Sequence, residues 1–140
     1  MSVSPSISGG QGLGGSSSDR FRQMFFEEAV ELLVSLKDGL AQLEQEPQDR
    51  AICDRTFRAI HSLKGAAHMI GLNEIAEFAR SIETVVALVR AGSLAVDPPV
   101  AATLLAARDH LEAMVAAESA GSPVPASEEL TTSLRNLADG

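Results

Sequence analysis

Apolar residues recur at steps of three and four through four successive stretches of this chain, and each stretch is closed by proline or glycine. Phe21, Phe25, Ala29, Leu32, Leu36, Leu40 and Leu43 form the first stripe, with Gly39 as a weak point and Pro47 as its stop. Phe57, Ile60, Leu63, Ala67 and Ile70 form the second, closed by Gly71. Ile75, Ala79, Ile82, Val86 and Val89 form the third, stopped at Gly92. Val100, Leu104, Ala107, Leu111 and Met114 form the fourth, which runs to about Glu118 before Gly121, Pro123 and Pro125. One face of an α-helix repeats every 3.6 residues, so each stretch reads as an amphipathic helix. Asp19, Asp49 and Asn73 stand where helix caps belong, and Asp97 followed by Pro98 opens the fourth helix. Ser127, with Glu128 and Glu129 behind it, opens a short fifth helix that docks through Leu130, Leu134 and Leu137. Short connections between four long helices imply an all-α, antiparallel up-down four-helix bundle, with the short C-terminal helix across its outside or over one end.

The 140 residues suffice for one domain with a core. That core must be aliphatic and alanine-rich, because there is no Trp, no Tyr and only 5 Phe. Val and Ile nowhere alternate with polar residues long enough for a strand. Residues 1–18, rich in Gly and Ser, read as a flexible tail, with the domain proper over 19–140. The formal net charge of -8 argues against a nucleic-acid or anionic-membrane partner, which requires a basic face. The single cysteine, Cys53, has no partner for an internal disulfide and reads as a small helix residue. No pairing of Cys and His suggests a metal site, and no apolar run approaches the ~18 residues of a membrane span. Without a basic, apolar leader pattern the expected location is the cytoplasm. The end at Gly140 reads as a domain boundary.

The second helix carries the chemistry. Opposite its apolar stripe, Asp54, Arg58, His61, Gly65 and His68 share a polar face, with Lys64 one turn after His61. Taken alone, such a histidine is a solvated side chain and such a lysine a surface charge. Gly65 is harder to dismiss. Glycine inside a helix costs about 1 kcal/mol relative to alanine, and two alanines follow it. Its presence beside an exposed histidine points to close approach of something to the backbone.

His61-x-x-Lys64-Gly65, followed by small residues and Gly71, resembles the signature of histidine phosphotransfer (HPt) domains. The fuller run from Arg58 to Ala67 is similar to the N-terminal P1 domain of chemotaxis histidine kinases of the CheA type, and the similarity covers about residues 19–138. The resemblance implies that His61 is phosphorylated by a kinase ATP-binding domain and passes the group to the aspartate of a response-regulator receiver domain. It implies that Glu83, in Arg80-Ser81-Ile82-Glu83, fixes the imidazole tautomer from the next helix, and that Lys64 neutralises phosphoryl oxygens. It assigns Gly65, Ala66, His68 and Met69 to partner docking. ATP and Mg²⁺ would be held by the partner domains, so this chain needs no cofactor or metal of its own and serves as phosphoryl carrier. In chemotaxis members a second histidine stands three residues before the glutamate; here Arg80 does, free to pair with Glu83 or with phosphate. Because the domain is acidic overall, the docking contact is expected to be partly apolar, through Ala66 and Met69. His68, at i+7 and about 10 Å along the axis from His61, is too distant to share an ion with it. His110 has no partner in the sequence. Two other readings stay open: an HPt protein loaded by a receiver domain in a multistep relay, and a plain helical interaction domain in which His61 is inert.

Overall fold

The computed structural model describes residues 12–140, with side chains from residue 18 onward. The first eleven residues of the Gly/Ser-rich tail therefore lie outside the described part. Five helices follow one another: α1 (Gly12–Gln45), α2 (Arg50–Met69), α3 (Asn73–Arg90), α4 (Pro98–Ala120) and α5 (Glu128–Asp139). Helices α1 to α4 close a ring in which each packs on the next and α4 returns to α1. Antiparallel order shows in the cross-contacts. Arg22 and Arg108 mark the α1–α4 pair, reaching Glu118 and the Leu33 carbonyl respectively. Phe57 with Arg90 and His61 with Glu83 mark the α2–α3 pair. The fifth helix lies along the outside, on α3 and α4, and buries Leu134 there.

Helix α1 begins at Gly12, not at Asp19. Once a helix is nucleated each further residue adds one hydrogen bond, so a poor helix-forming segment can be carried along. At 34 residues α1 is much longer than α2 with 20. Phe21 is 60% exposed instead of in the core. Leu33 is buried, while Leu32 is only half-buried.

Asp49 and Asp97 cap as their position requires, accepting from the backbone N–H of Ile52 and Val100. Asn73 does not cap α3. Gly71, at φ +80°, ends α2 in a Schellman motif in which the Leu72 N–H reaches the Ala67 carbonyl and the Gly71 N–H that of His68. That motif buries Leu72 and leaves it in the cap position, so Asn73 is already the first helical residue. Ser127 occupies the cap position of α5 without capping it. Its hydroxyl donates to Met114 Sδ and lies 2.9 Å from His110 Nε2, so His110 has a structural partner after all, with Phe78 edge-on to its ring at 5.0 Å.

One core runs the length of the bundle, and a smaller cluster of Leu43, Ile52, Cys53 and Val89 closes one end under Leu94 and Val96. Burial pushes the Cys53 thiol pKa up, and Asp54 and Asp49 push it further, so it stays protonated and inert. Arg108 is the buried charge that the apolar stripe of α4 gave no sign of. It is 3% exposed, donates to the Leu33 carbonyl, and is neutralised by Asp109 and Glu112.

Two helix-interior glycines have opposite reasons. A Cβ on Gly39 would lie 2.2 Å from Thr56 Oγ1, and that hydroxyl is buried and donates to the Ile52 carbonyl. Here α1 and α2 cross too closely for any side chain. A Cβ on Gly65 would meet nothing within 4 Å. Gly39→Ala should therefore destabilise the domain by about 1–3 kcal/mol through overpacking. Gly65→Ala should stabilise it by up to about 1 kcal/mol through helix propensity. Urea unfolding of the two variants beside the parent measures both signs.

Candidate functional site

The outward face of α2 presents His61, whose side chain is 58% exposed. Its neighbour across the groove is α3. Ile82 on α3 is buried, and the next residue, Glu83, therefore stands at the rim of the core with its side chain 13% exposed, turned toward α2. There Glu83 Oε2 accepts a hydrogen bond from His61 Nδ1, and Oε1 accepts from Lys64 Nζ at 2.8 Å. One carboxylate thus bridges two side chains one helical turn apart.

Burial raises the Glu83 pKa, but the hydrogen bonds from Lys64 and His61, together with their charges, outweigh it and hold the carboxyl below the usual carboxylate range. Glu83 is accordingly ionised at neutral pH. An ionised acceptor at Nδ1 selects the tautomer with its proton on that nitrogen and leaves the Nε2 lone pair free on the solvent side.

A second device holds the ring. Phe57, one turn before His61, stacks on the imidazole with ring centroids 5.6 Å apart and planes 15° from parallel. Arg90 of α3 lies over the Phe57 ring, its Cζ 3.7 Å from the centroid. Sequence periodicity places Phe57 in the apolar stripe, and it is in fact half-buried. Its i−4 spacing from His61 is the signal that could have marked the stack. Nothing in the sequence marks Arg90, because its position over Phe57 depends on how α3 lies against α2. The imidazole is thus gripped at one nitrogen and along one face, with the other nitrogen outward. That arrangement suits a nucleophile whose orientation must be fixed before its target arrives.

The remaining expected residues fall around this centre with differing success. Gly65 is exposed and open. Lys64, Gly65 and His68 line a cleft of about 270 Å³ with Ala76, Glu77 and Arg80. Met69 is 85% exposed. Ala66 is half-buried and packs against the core, so it presents only part of its surface. Arg80 pairs with Glu77 at 3.7 Å and not with Glu83, leaving Glu83 to His61 and Lys64. His110 belongs to the α4–α5 contact, away from the α2–α3 groove. Among the described residues no group of three or more His, Cys, Asp or Glu side chains is placed to hold a metal ion, and no helix is long and apolar enough to cross a membrane.

The profile of the Hpt domain family matches residues 20–121. The chemotaxis protein CheA of Cereibacter sphaeroides is 36% identical over 104 residues, covering 72% of this chain and 15% of that protein. The CheA protein of Rhizobium meliloti is 32% identical over 124 residues, covering 87% of this chain and 16% of that protein. The chain thus spans about a sixth of the length of these relatives. Among solved structures, the phosphorylated P1 domain of CheA3 in complex with CheY6 from R. sphaeroides superposes with a TM-score of 0.77 and 26% identity, covering 86% of this chain and 97% of that one. The solution structure of the histidine phosphotransfer domain of CheA gives a TM-score of 0.74 and 25% identity, over 84% and 91% of the two chains.

The depressed Glu83 pKa has a thermodynamic consequence. A carboxyl whose folded-state pKa lies below its unfolded one adds stability above the unfolded value, about 4.3 for glutamate, and loses it as pH falls through the folded value. As pH falls below about 5 and Glu83 takes up its proton, the stability difference between the parent and Glu83→Gln should shift against the parent. Denaturant midpoints of both proteins across this range provide the check, and a difference independent of pH contradicts the ion-pair reading.

Proposed function

This chain belongs to the Hpt domain family, and on that premise we propose that His61 is the phosphoryl carrier of a chemotaxis-type histidine kinase. One observation carries the reading: the exposed imidazole of His61 is held at Nδ1 by an ionised carboxylate, so that only Nε2 faces outward. An ionised Glu83 at the rim of the core, bonded to His61 and Lys64 at once, supports this reading over an inert helical interaction domain. Similarity to P1 domains of CheA proteins favours loading by a kinase over loading by a receiver domain.

In the proposed reaction the Nε2 lone pair attacks the γ-phosphorus of ATP held by a kinase domain. An N–P bond forms, the bond to ADP breaks, and positive charge develops on the imidazole. Glu83, hydrogen-bonded to Nδ1–H, stabilises that charge. Lys64 keeps Glu83 ionised and has two further N–H bonds available for phosphoryl oxygens. In the second step an aspartate oxygen of a receiver domain attacks the same phosphorus in line, the P–N bond breaks, and the electron pair returns to Nε2. ATP and Mg²⁺ belong to the partner domains. Gly65, with no side chain and open space before it, admits the receiver's loop to within reach of the phosphoryl group. Both steps draw on partners of the cytoplasm, where we place the domain.

Incubation with the ATP-binding domain of a chemotaxis kinase and labelled ATP should give an acid-labile, alkali-stable phosphoramidate on His61 and none in His61→Gln. Label that persists in His61→Gln, or appears on His68 or His110, overturns the assignment. Glu83→Ala should slow loading about 10- to 100-fold while the domain stays folded; an unchanged rate at saturating kinase would make Glu83 a mere rim residue.

Gly65→Leu should keep or raise the melting temperature yet greatly slow transfer from pre-phosphorylated protein to a receiver domain. A parental transfer rate in that variant would remove Gly65 from the docking contact.

A further inference from the structure

The hydrogen bond from His61 Nδ1 to Glu83 ties the imidazole at one atom. It leaves the plane of the ring loosely set, because a hydrogen bond tolerates about 30° of misalignment with little loss. With the side chain 58% exposed, water restrains the ring no further. The plane is set by Phe57, whose ring lies 15° from parallel at a centroid distance of 5.6 Å, the geometry of an offset stack. A reacting group must be held to within about 10–20° of its productive direction, so this second restraint bears on the reaction.

Phe57 is itself only half-buried and needs an anchor. Arg90, the last residue of α3, lies over its ring with Cζ 3.7 Å from the centroid, well inside the about 6 Å reach of a cation–π contact. Arg90 makes no ion pair among the described residues. Asp97, which lines the same cleft of about 470 Å³ at this end of the bundle, turns its carboxylate to the Val100 N–H and caps α4. The Glu83 oxygens are taken by His61 and Lys64. The planar guanidinium is therefore committed to no carboxylate, and stacking on an aromatic face is the contact left to it. Phe57 and His61 stand one turn apart on α2, and Glu83 and Arg90 two turns apart on α3. Helix α3 thus holds the imidazole twice, directly through Glu83 and at one remove through Arg90 and Phe57.

We propose that Arg90 is a positioning residue for phosphoryl transfer: by pinning Phe57 it sets the plane of the His61 imidazole and with it the direction of the Nε2 lone pair. The inference rests on the reading of His61 as phosphoryl carrier. Arg90 makes and breaks no bond in the reaction. During loading, the restraint aims the lone pair at the γ-phosphorus. During transfer, it holds the P–N bond in line with the attacking oxygen. A ring free to swing spends less time in the attacking geometry, so losing the restraint lowers the rate at saturation and leaves affinity alone.

The first test is proton NMR of this chain with no partner present. The ring current of a stacked phenyl shifts the Hδ2 and Hε1 resonances of His61. Both should move in Phe57→Leu and move in the same direction in Arg90→Ala. Arg90→Lys keeps a cation for the ring and should recover most of the parental shift. The second test is loading by the ATP-binding domain of a chemotaxis kinase. Arg90→Ala should lower kcat about two- to fivefold and Phe57→Leu on the order of tenfold, both with KM unchanged and helical circular dichroism retained. Combined with Phe57→Leu, Arg90→Ala should lower kcat no further, since the two side chains act as one unit. Unmoved His61 resonances in Arg90→Ala overturn the proposal. So does an Arg90→Ala rate loss that persists in the Phe57→Leu background, since charge and not the stack is then its cause. A raised KM at constant kcat would place Arg90 in partner binding and overturn it as well. If the parent takes no label on His61, the phosphotransfer reading falls, and the resonances alone decide whether Arg90 orients the ring.

Discussion

Glu83 joins α3 to α2 through one carboxylate. Its backbone is set by Ile82, which anchors α3 in the core, and its side chain spans the groove to two residues of α2. A carboxylate on a side chain with 13% exposure is tolerable only with its oxygens satisfied, and Lys64 and His61 satisfy one each. The same bonds that make its burial possible keep it charged, and its charge orients the imidazole. Satisfying the Glu83 carboxylate and orienting the His61 imidazole are therefore one requirement, met only while α2 and α3 keep their register.

That register is held from several sides. Phe57 packs toward the core and stacks on His61 at once, and Arg90 lies over its ring, a cation–π contact that contributes on the order of 0.5–1 kcal/mol near solvent. Behind α2, Gly39 lets α1 approach until Thr56 fills the space where a side chain would be. Below these contacts the core is a stack of Leu, Ile, Val and Ala in a four-helix ring. A carrier of this kind needs a stiff platform and an accessible side chain, and a close-packed aliphatic bundle supplies the first without covering the second.

The two helix glycines show how one residue type answers different constraints. At Gly39 the constraint is internal, the Oγ1 of Thr56. At Gly65 the molecule itself imposes none, for the space before it is open. Propensity treats both as the same defect in a helix, and only the distances separate them.

Much was legible in the order of residues. Apolar spacing at three and four determined the helices and their inner faces, and Pro47, Gly71, Gly92 and Gly121 their ends, because helical periodicity and backbone stereochemistry are local properties. His61-x-x-Lys64-Gly65 marked one exposed face of α2 for the same reason: three residues within about one turn lie together whatever else the chain does. What tertiary structure alone decided involves partners far apart in sequence. Asn73 lost its cap role to Leu72 because a Schellman turn drew that leucine into the core. Ser127 was diverted to His110 and Met114 on another helix, and Arg108 became a buried cation by reaching a carbonyl of α1. Phe21 stands outside the core, 60% exposed, although its spacing matches the buried stripe. Pairing Arg80 with Glu77, and not with Glu83, required the side-chain directions on α3. Local spacing fixes which side of a helix is apolar; only packing fixes what stands opposite the polar side.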